Sequence, residues 1–171
     1  IITMDLHADQ IQGFFNVPVD HLFGSAIFAP YIAKLKLDNL TISAPDMGGS
    51  KRANAYARHL QSEMVLCYKL RKKPNIVEEM SIIGEVEGRN VLIIDDMVDT
   101  AGTLVLAALM MKDRGATSIR AFATHPVLSG NSVERINDSP IEELVVTDSM
   151  PLRNTSPKIK VLSIADIFAT T

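Results

Sequence analysis

The stretch Val91-Leu92-Ile93-Ile94-Asp95-Asp96-Met97-Val98-Asp99-Thr100-Ala101-Gly102-Thr103 decides the fold. Four consecutive apolar residues, 91–94, predict a strand buried on both faces, as strands of a covered parallel sheet are. Paired carboxylates close that strand, and open α/β sheets bind ligands at the carboxyl ends of their strands. Residues 99–103 then form a short loop of small residues leading into a helix. Backbone N–H groups at a helix N-terminus make an anion site, and Gly102 permits close approach. Thr100 and Thr103 add hydroxyl donors. Two acids beside such a nest suit a sugar phosphate, with Asp95 and Asp96 on the ribose hydroxyls and the nest on the phosphate. A helix cap accounts for one of these acids, but not for Asp95, Asp96 and Asp99 together.

On either side, short apolar runs alternate with stretches of helical period, the pattern of parallel βαβ units. Upstream, residues 41–44 predict a strand and Pro45-Asp46-Met47-Gly48-Gly49 a turn. Ala53, Tyr56, Ala57 and Leu60 recur at i, i+3, i+4 and i+7, so a helix follows. Further strands are predicted over 64–69 and 81–86. Downstream, Leu104, Ala107, Ala108 and Met111 form the next helical stripe, ended by Gly115. Residues 118–124, 143–147 and 158–162 read as strands. The opening Ile1-Ile2-Thr3-Met4-Asp5-Leu6 reads as a buried strand, and residues 164–169 as helical. With no repeat, low-complexity tract or linker, residues 1–171 read as a single α/β domain, a mostly parallel twisted sheet flanked by helices. Both ends are apolar where termini are usually polar, so the chain is expected to be a piece of a longer protein.

Composition narrows the function. A chain of 171 residues fits one domain. A hydrophobic fraction of 47% with 22% charged residues excludes a disordered chain. The formal charge of −3, from 17 basic and 20 acidic residues, excludes a generally basic nucleic-acid-binding surface. Cys67 is the single cysteine and cannot form an internal disulfide, which points to a reducing compartment. Glycosylation sequons at Asn39, Asn137 and Asn154 therefore read as chance. No apolar run approaches the roughly 20 residues that span a bilayer, and no secretory leader pattern opens the chain. A soluble, cytoplasmic protein with no nucleic-acid or membrane partner is expected.

Three further groups bear on chemistry. Lys69 and Arg71, two apart on a predicted strand, project to one face. Two like charges there repel unless an anion lies between them, and they could neutralise charge on a transferring phosphoryl group. Without the nearby loop, residues 69–73 would read as a solvated strand end. Asp5-Leu6-His7 follows the opening strand, and Asp46 holds the equivalent place after the second. Asp46 suits Mg²⁺, a hard cation that favours oxygen ligands, whereas His7 suits it poorly. The methionines and Cys67 read as core packing. His125, before Pro126, reads either as an edge of the site or as an extended turn.

Together the motifs resemble the ribose-phosphate pyrophosphokinase family. Asp5-Leu6-His7-Ala8-Asp9-Gln10-Ile11-Gln12-Gly13-Phe14-Phe15 resembles the opening signature of that family's second half. Ala44-Pro45-Asp46-Met47-Gly48-Gly49-Ser50-Lys51-Arg52 resembles its Pro-Asp-x-Gly-Gly turn, and residues 95–103 its ribose-phosphate loop, shared with type I phosphoribosyltransferases. The likeness covers essentially the whole chain. It implies a type I phosphoribosyltransferase-like domain, the second of two, with the ATP-contacting segments and a mobile catalytic loop upstream of Ile1. It further implies His7 and Asp46 at magnesium positions, Lys69 as the catalytic lysine, and Arg71 as its partner at the active site. Asp95, Asp99, Thr100, Ala101, Gly102 and Thr103 correspond to ribose 5-phosphate contacts. The implied reaction transfers the diphosphoryl group of ATP to the C1 hydroxyl of ribose 5-phosphate, giving phosphoribosyl pyrophosphate and AMP, with Mg²⁺ as cofactor. The family is homo-oligomeric, a hexamer, and the 171-residue chain alone is expected to be inactive. A salvage phosphoribosyltransferase is the alternative enzyme, but it lacks the Asp-Leu-His stretch. A silent regulatory homologue should have lost the lysine–arginine pair or the loop acids, and both are present.

Overall fold

The computed structural model describes residues 1–70 and 79–171. The chain opens with β1 (Ile2–Met4), which pairs in parallel with β2 (Asp20–Leu22) as a small separate sheet. A 3-10 turn at Asp9–Phe14 lies between them. Next come α1 (Ser25–Leu35), β3 (Leu40–Ala44), α2 (Ser50–His59), β4 (Glu63–Leu70), β5 (Glu79–Ile83) and β6 (Asn90–Val98). Then follow α3 (Gly102–Asp113), β7 (Ser118–Pro126), α4 (Ser132–Asn137), β8 (Glu143–Thr147), β9 (Ile159–Leu162) and α5 (Ala165–Thr170). The described residues form a main sheet in the order β5-β4-β3-β6-β7-β8-β9. Every neighbouring pair is parallel except β4 with β5.

The run at 91–94 lies at the centre of this sheet because it is apolar on both of its faces. Successive strand residues point to opposite sides. Leu92 and Ile94 therefore pack with Phe28, Ile32, Tyr56 and Phe122 under α1 and α2. Val91 and Ile93 join Ala107, Ala108, Met111 and Ile119 on the α3 side. All four predicted apolar positions of α3 are buried, and Gly115, at φ +86°, turns the chain out of that helix. Cys67 is fully buried in the same layer, where burial pushes its thiol up in pKa, as a packing residue requires.

Several local expectations change. The opening strand is not a core strand: Ile1 and Ile2 are exposed, and only Met4 of the strand is buried. Three short residues pairing in their own sheet cannot be sandwiched between layers. The strand expected over 81–86 ends at Ile83, because Gly84 takes φ +113° and turns the chain. The strand holding Asp95 runs on to Val98, so the paired acids lie within it rather than at its tip. Helix α1 carries Pro30 and an almost continuous apolar sequence, so no 3.6-residue stripe marks it. Among the described residues, no helix is long and apolar enough to cross a membrane.

Truncating either face of β6 should be costly. Leu92→Ala and Ile93→Ala should each destabilise the chain by about 2–5 kcal/mol. Leu109→Ala, on the exposed side of α3, should cost well under about 1 kcal/mol by the ordinary tolerance of surface positions. Urea unfolding of the three variants checks the difference.

Candidate functional site

Strand β6 outruns its neighbour on one side. The β3–β6 ladder ends at Ser43↔Ile93, while the β6–β7 ladder continues to Val98↔Pro126. Asp95 and Asp96 therefore project beyond the end of β3, at the point where the chain order reverses from β4 on one side to β6 on the other. Such a switch point opens a crevice in α/β sheets. Here it is a cavity of about 700 Å³ whose walls include His7, Asp46, Arg52, Tyr68, Asp95 and Asp96.

The two acids are held differently. The Asp96 side chain is 7% exposed, and both of its oxygens have partners. Arg52 Nη1 donates to Oδ1 at 2.9 Å, and His7 Nδ1 lies 2.7 Å from Oδ2. The Asp95 side chain is 30% exposed; its Oδ1 accepts the Asp96 N–H at 2.9 Å and lies 3.8 Å from Arg52 Nη1. Burial raises the Asp95 carboxyl, and the hydrogen bond and charge of Asp96 raise it further, to about 7. Asp96 is also penalised by burial, but the His7 hydrogen bond and the Arg52 charge outweigh this and hold it below the usual carboxylate range. Near neutral pH the pair thus offers one committed anion and one carboxyl that can donate or accept.

Arg52 stands in the first turn of α2, directly after the Gly48-Gly49 turn. A cation there opposes the helix dipole, and the Asp96 carboxylate compensates it. The turn itself is set by Asp46, whose Oδ1 accepts the N–H groups of Gly48 at 2.9 Å and Gly49 at 3.4 Å. A Cβ on Gly49 would stand 3.1 Å from the Ala44 Cβ, so glycine lets the turn close against the strand.

Beyond Val98, residues 99–103 form the loop that opens α3. Ala101 is the residue before the helix and takes a left-handed conformation, φ +60° and ψ +5°. Thr100 and Gly102 flank it, one exposed on each side. Asp99 accepts a hydrogen bond from the Ser129 hydroxyl. Arg135 Nη1, from α4, donates to the Thr100 carbonyl at 3.0 Å.

The structure brings His7, Asp46, Asp95 and Asp96 to one cavity, with residues 99–103 at the end of the same strand. The Lys69 backbone lies on β4 opposite Met80, next to Tyr68 of the cavity wall. The Lys69 side chain and all of Arg71 lie outside the described residues. His125 does not edge the cavity. Its Nδ1 lies 3.0 Å from Ser149 Oγ and its Nε2 3.0 Å from the Met4 carbonyl, so it ties β1 to the main sheet. Asp5 likewise turns inward, accepting hydrogen bonds from the Gly24 amide and the Thr124 hydroxyl. Arg52 and Arg135 had no marker in the sequence, since each reads locally as a solvated helix cation. Among the described residues no three His, Cys, Asp or Glu side chains form a metal cluster. Asp46 supplies a hard carboxylate oxygen to the cavity that His7 also lines; an oxygen donor of that kind suits Mg²⁺, whereas an imidazole suits it poorly.

The sheet order, the covering helices and the acid-bearing strand followed by a small-residue loop define a phosphoribosyltransferase-type fold. A purine phosphoribosyltransferase from Pyrococcus horikoshii shares the fold at a TM-score of 0.51 and 20% identity, covering 81% of this chain and 79% of that one. The chain belongs to the phosphoribosyl synthetase-associated domain family, whose model matches residues 61–171. It is 54% identical over 170 residues to a ribose-phosphate pyrophosphokinase of Porphyromonas gingivalis, covering 99% of this chain and 54% of that protein. A Helicobacter hepaticus protein of the same name is 52% identical, with 99% and 55% covered. A phosphoribosylpyrophosphate synthetase structure from Mycobacterium smegmatis superposes with a TM-score of 0.92 at 32% identity, covering 99% of this chain and 56% of that one. The chain spans about half the length of the curated relatives it matches.

The elevated Asp95 carboxyl makes stability depend on pH with a definite sign. Its pKa rises from an ordinary 3.8 to about 7 on folding, so the native state binds more protons than the unfolded state between those values. The stabilisation is complete below the ordinary value and is lost as pH rises through the folded one. Asp95→Asn removes this dependence, so its melting temperature relative to the parent should climb from pH 5 to pH 8. A gap constant across that range would contradict the assignment.

Proposed function

We propose that the chain carries the sugar-phosphate half of a ribose-phosphate diphosphokinase, which moves the diphosphoryl group of ATP to the C1 hydroxyl of ribose 5-phosphate and releases AMP. The observation that carries this reading is the sequence of groups along one strand: Asp95 and Asp96 in the crevice, then the loop 99–103 opening α3. A sugar phosphate fits both ends of that arrangement, with its diol on the acids and its phosphate on the helix-terminal amides. The names of the relatives at 54% and 52% identity support the same substrate class.

Asp95 is the better placed of the two acids. Its carboxyl is reachable and can share a proton with a hydroxyl, whereas Asp96 already serves Arg52 and His7. Asp96 then fixes the cavity floor and holds His7 in place. Thr100, the Ala101 and Gly102 amides and Thr103 contribute to the phosphate end, and Asp99 shapes the loop. His7 and Asp46 are the groups proposed to hold Mg²⁺, which when bound would neutralise charge on the ATP phosphates. Lys69 is assigned to the negative charge that develops during transfer, with Arg71 beside it as a phosphate-binding guanidinium.

Two measurements test this function. Asp95→Asn should weaken ribose 5-phosphate binding by about 1.5–3 kcal/mol, the value of a hydrogen bond involving a charged group, and Asp96→Asn should weaken it indirectly, by releasing Arg52 and His7 from their places in the cavity wall. Calorimetric titration that finds parental affinity in both variants would remove the acids from the sugar site. In the complete enzyme, Lys69→Ala should lower kcat far more than it raises either KM. An effect confined to KM would make Lys69 a ground-state clamp instead.

A further inference from the structure

The segment that follows β7 clamps the loop at 99–103 from outside. The Leu128 N–H donates to the Val98 carbonyl at 3.0 Å, and the Ser129 hydroxyl donates to Asp99. Arg135 completes the clamp with its hydrogen bond to the Thr100 carbonyl. Arg135 is exposed and forms no ion pair among the described residues, so no acid fixes its guanidinium there.

That hydrogen bond also determines where the next amide points. A trans peptide holds its C=O and N–H antiparallel, and the described peptides are trans. Drawing the Thr100 carbonyl toward Arg135 therefore turns the Ala101 N–H the opposite way, out from the clamp. A left-handed conformation is unfavourable for alanine by itself and persists only where surrounding contacts impose it. Among the described residues, neither the Ala101 amide nor the Gly102 amide donates to a protein acceptor. A Cβ at Gly102 would lie 3.7 Å from Arg135 Nη1 and 3.8 Å from Thr100 Oγ1, so the guanidinium lies close beside the loop.

We propose that Arg135 is a positioning residue for the anion site. By holding the Thr100 carbonyl it locks Ala101 left-handed and aims the Ala101 amide at the phosphate group of the ligand. This rests on residues 99–103 being the phosphate loop, and it adds a residue from a different element, α4, to that site.

The test compares the ¹⁵N-labelled chain with Arg135→Ala and Arg135→Lys, titrating inorganic phosphate and then ribose 5-phosphate by amide NMR. Phosphate should move the Ala101 and Gly102 resonances of the parent chain. Arg135→Ala should displace the Ala101 resonance before any anion is added, leave the Leu92 and Ile93 resonances in place, and weaken phosphate binding about tenfold, as for one misaimed hydrogen bond to a charged ligand. Arg135→Lys keeps a donor for the Thr100 carbonyl and should recover most of that loss. Parental affinity in Arg135→Ala overturns the proposal. So does weakened affinity with an unmoved Ala101 resonance, which would make Arg135 a bare electrostatic attractor. A parent chain whose loop amides ignore phosphate overturns the phosphate-loop reading itself, and this proposal with it.

Discussion

The Asp96 carboxylate is almost fully removed from water, within the long central strand β6. An unpaired charge in such a place is prohibitively unfavourable, so the surrounding structure has to supply partners. It does so from two distant parts of the chain: Arg52 from the first turn of α2 and His7 from just beyond β1. Satisfying one carboxylate thus fixes the start of one helix and anchors the opening segment, two walls of the same crevice. Removing either partner would leave a buried anion with half of its compensation, and losses of that kind are large.

The same requirement separates the chemistry of the two neighbouring acids. Once Asp96 has captured Arg52 and the His7 imidazole, Asp95 keeps a raised proton affinity and an open face. Adjacent carboxyls in one crevice divide in this way because both cannot ionise cheaply at close range. The outcome is a cavity wall that combines a fixed anion, a carboxyl able to exchange a proton with hydroxyl groups, and a guanidinium.

The opening segment is held to the main sheet by polar pins rather than by apolar packing. His125 bonds to the Met4 carbonyl, Asp5 receives the Gly24 amide and the Thr124 hydroxyl, and His21 Nε2 accepts the Leu6 N–H at 3.0 Å. A Cβ on Gly24 would come within 2.5 Å of Thr124 Oγ1 and 2.7 Å of an Asp5 carboxylate oxygen. Glycine there lets the carboxylate reach the start of α1. These contacts surround residues 4–6, immediately ahead of His7, and give its imidazole a defined direction without a hydrophobic core beneath it.

What the sequence determined by itself was whatever is written locally. The apolar run at 91–94 shows as a central strand because burial on both faces suppresses alternation. The stripes at Ala53, Tyr56, Ala57 and Leu60, and at Leu104, Ala107, Ala108 and Met111, show as helices because one face of each meets the sheet. The loop 99–103 shows because its small residues and hydroxyls are contiguous. Tertiary structure alone decided the rest. His7 meets Asp96 across 89 positions of sequence, and Arg135 meets Thr100 across 35. Neither separation leaves a trace in local period or composition. For the same reason Arg52 was indistinguishable from a solvated helix cation. Likewise, the extension of β6 past β3 depends on the length of a neighbouring strand rather than on the residues of β6. A side chain's partners are fixed by the packing of whole elements, and that packing is a property of the folded chain.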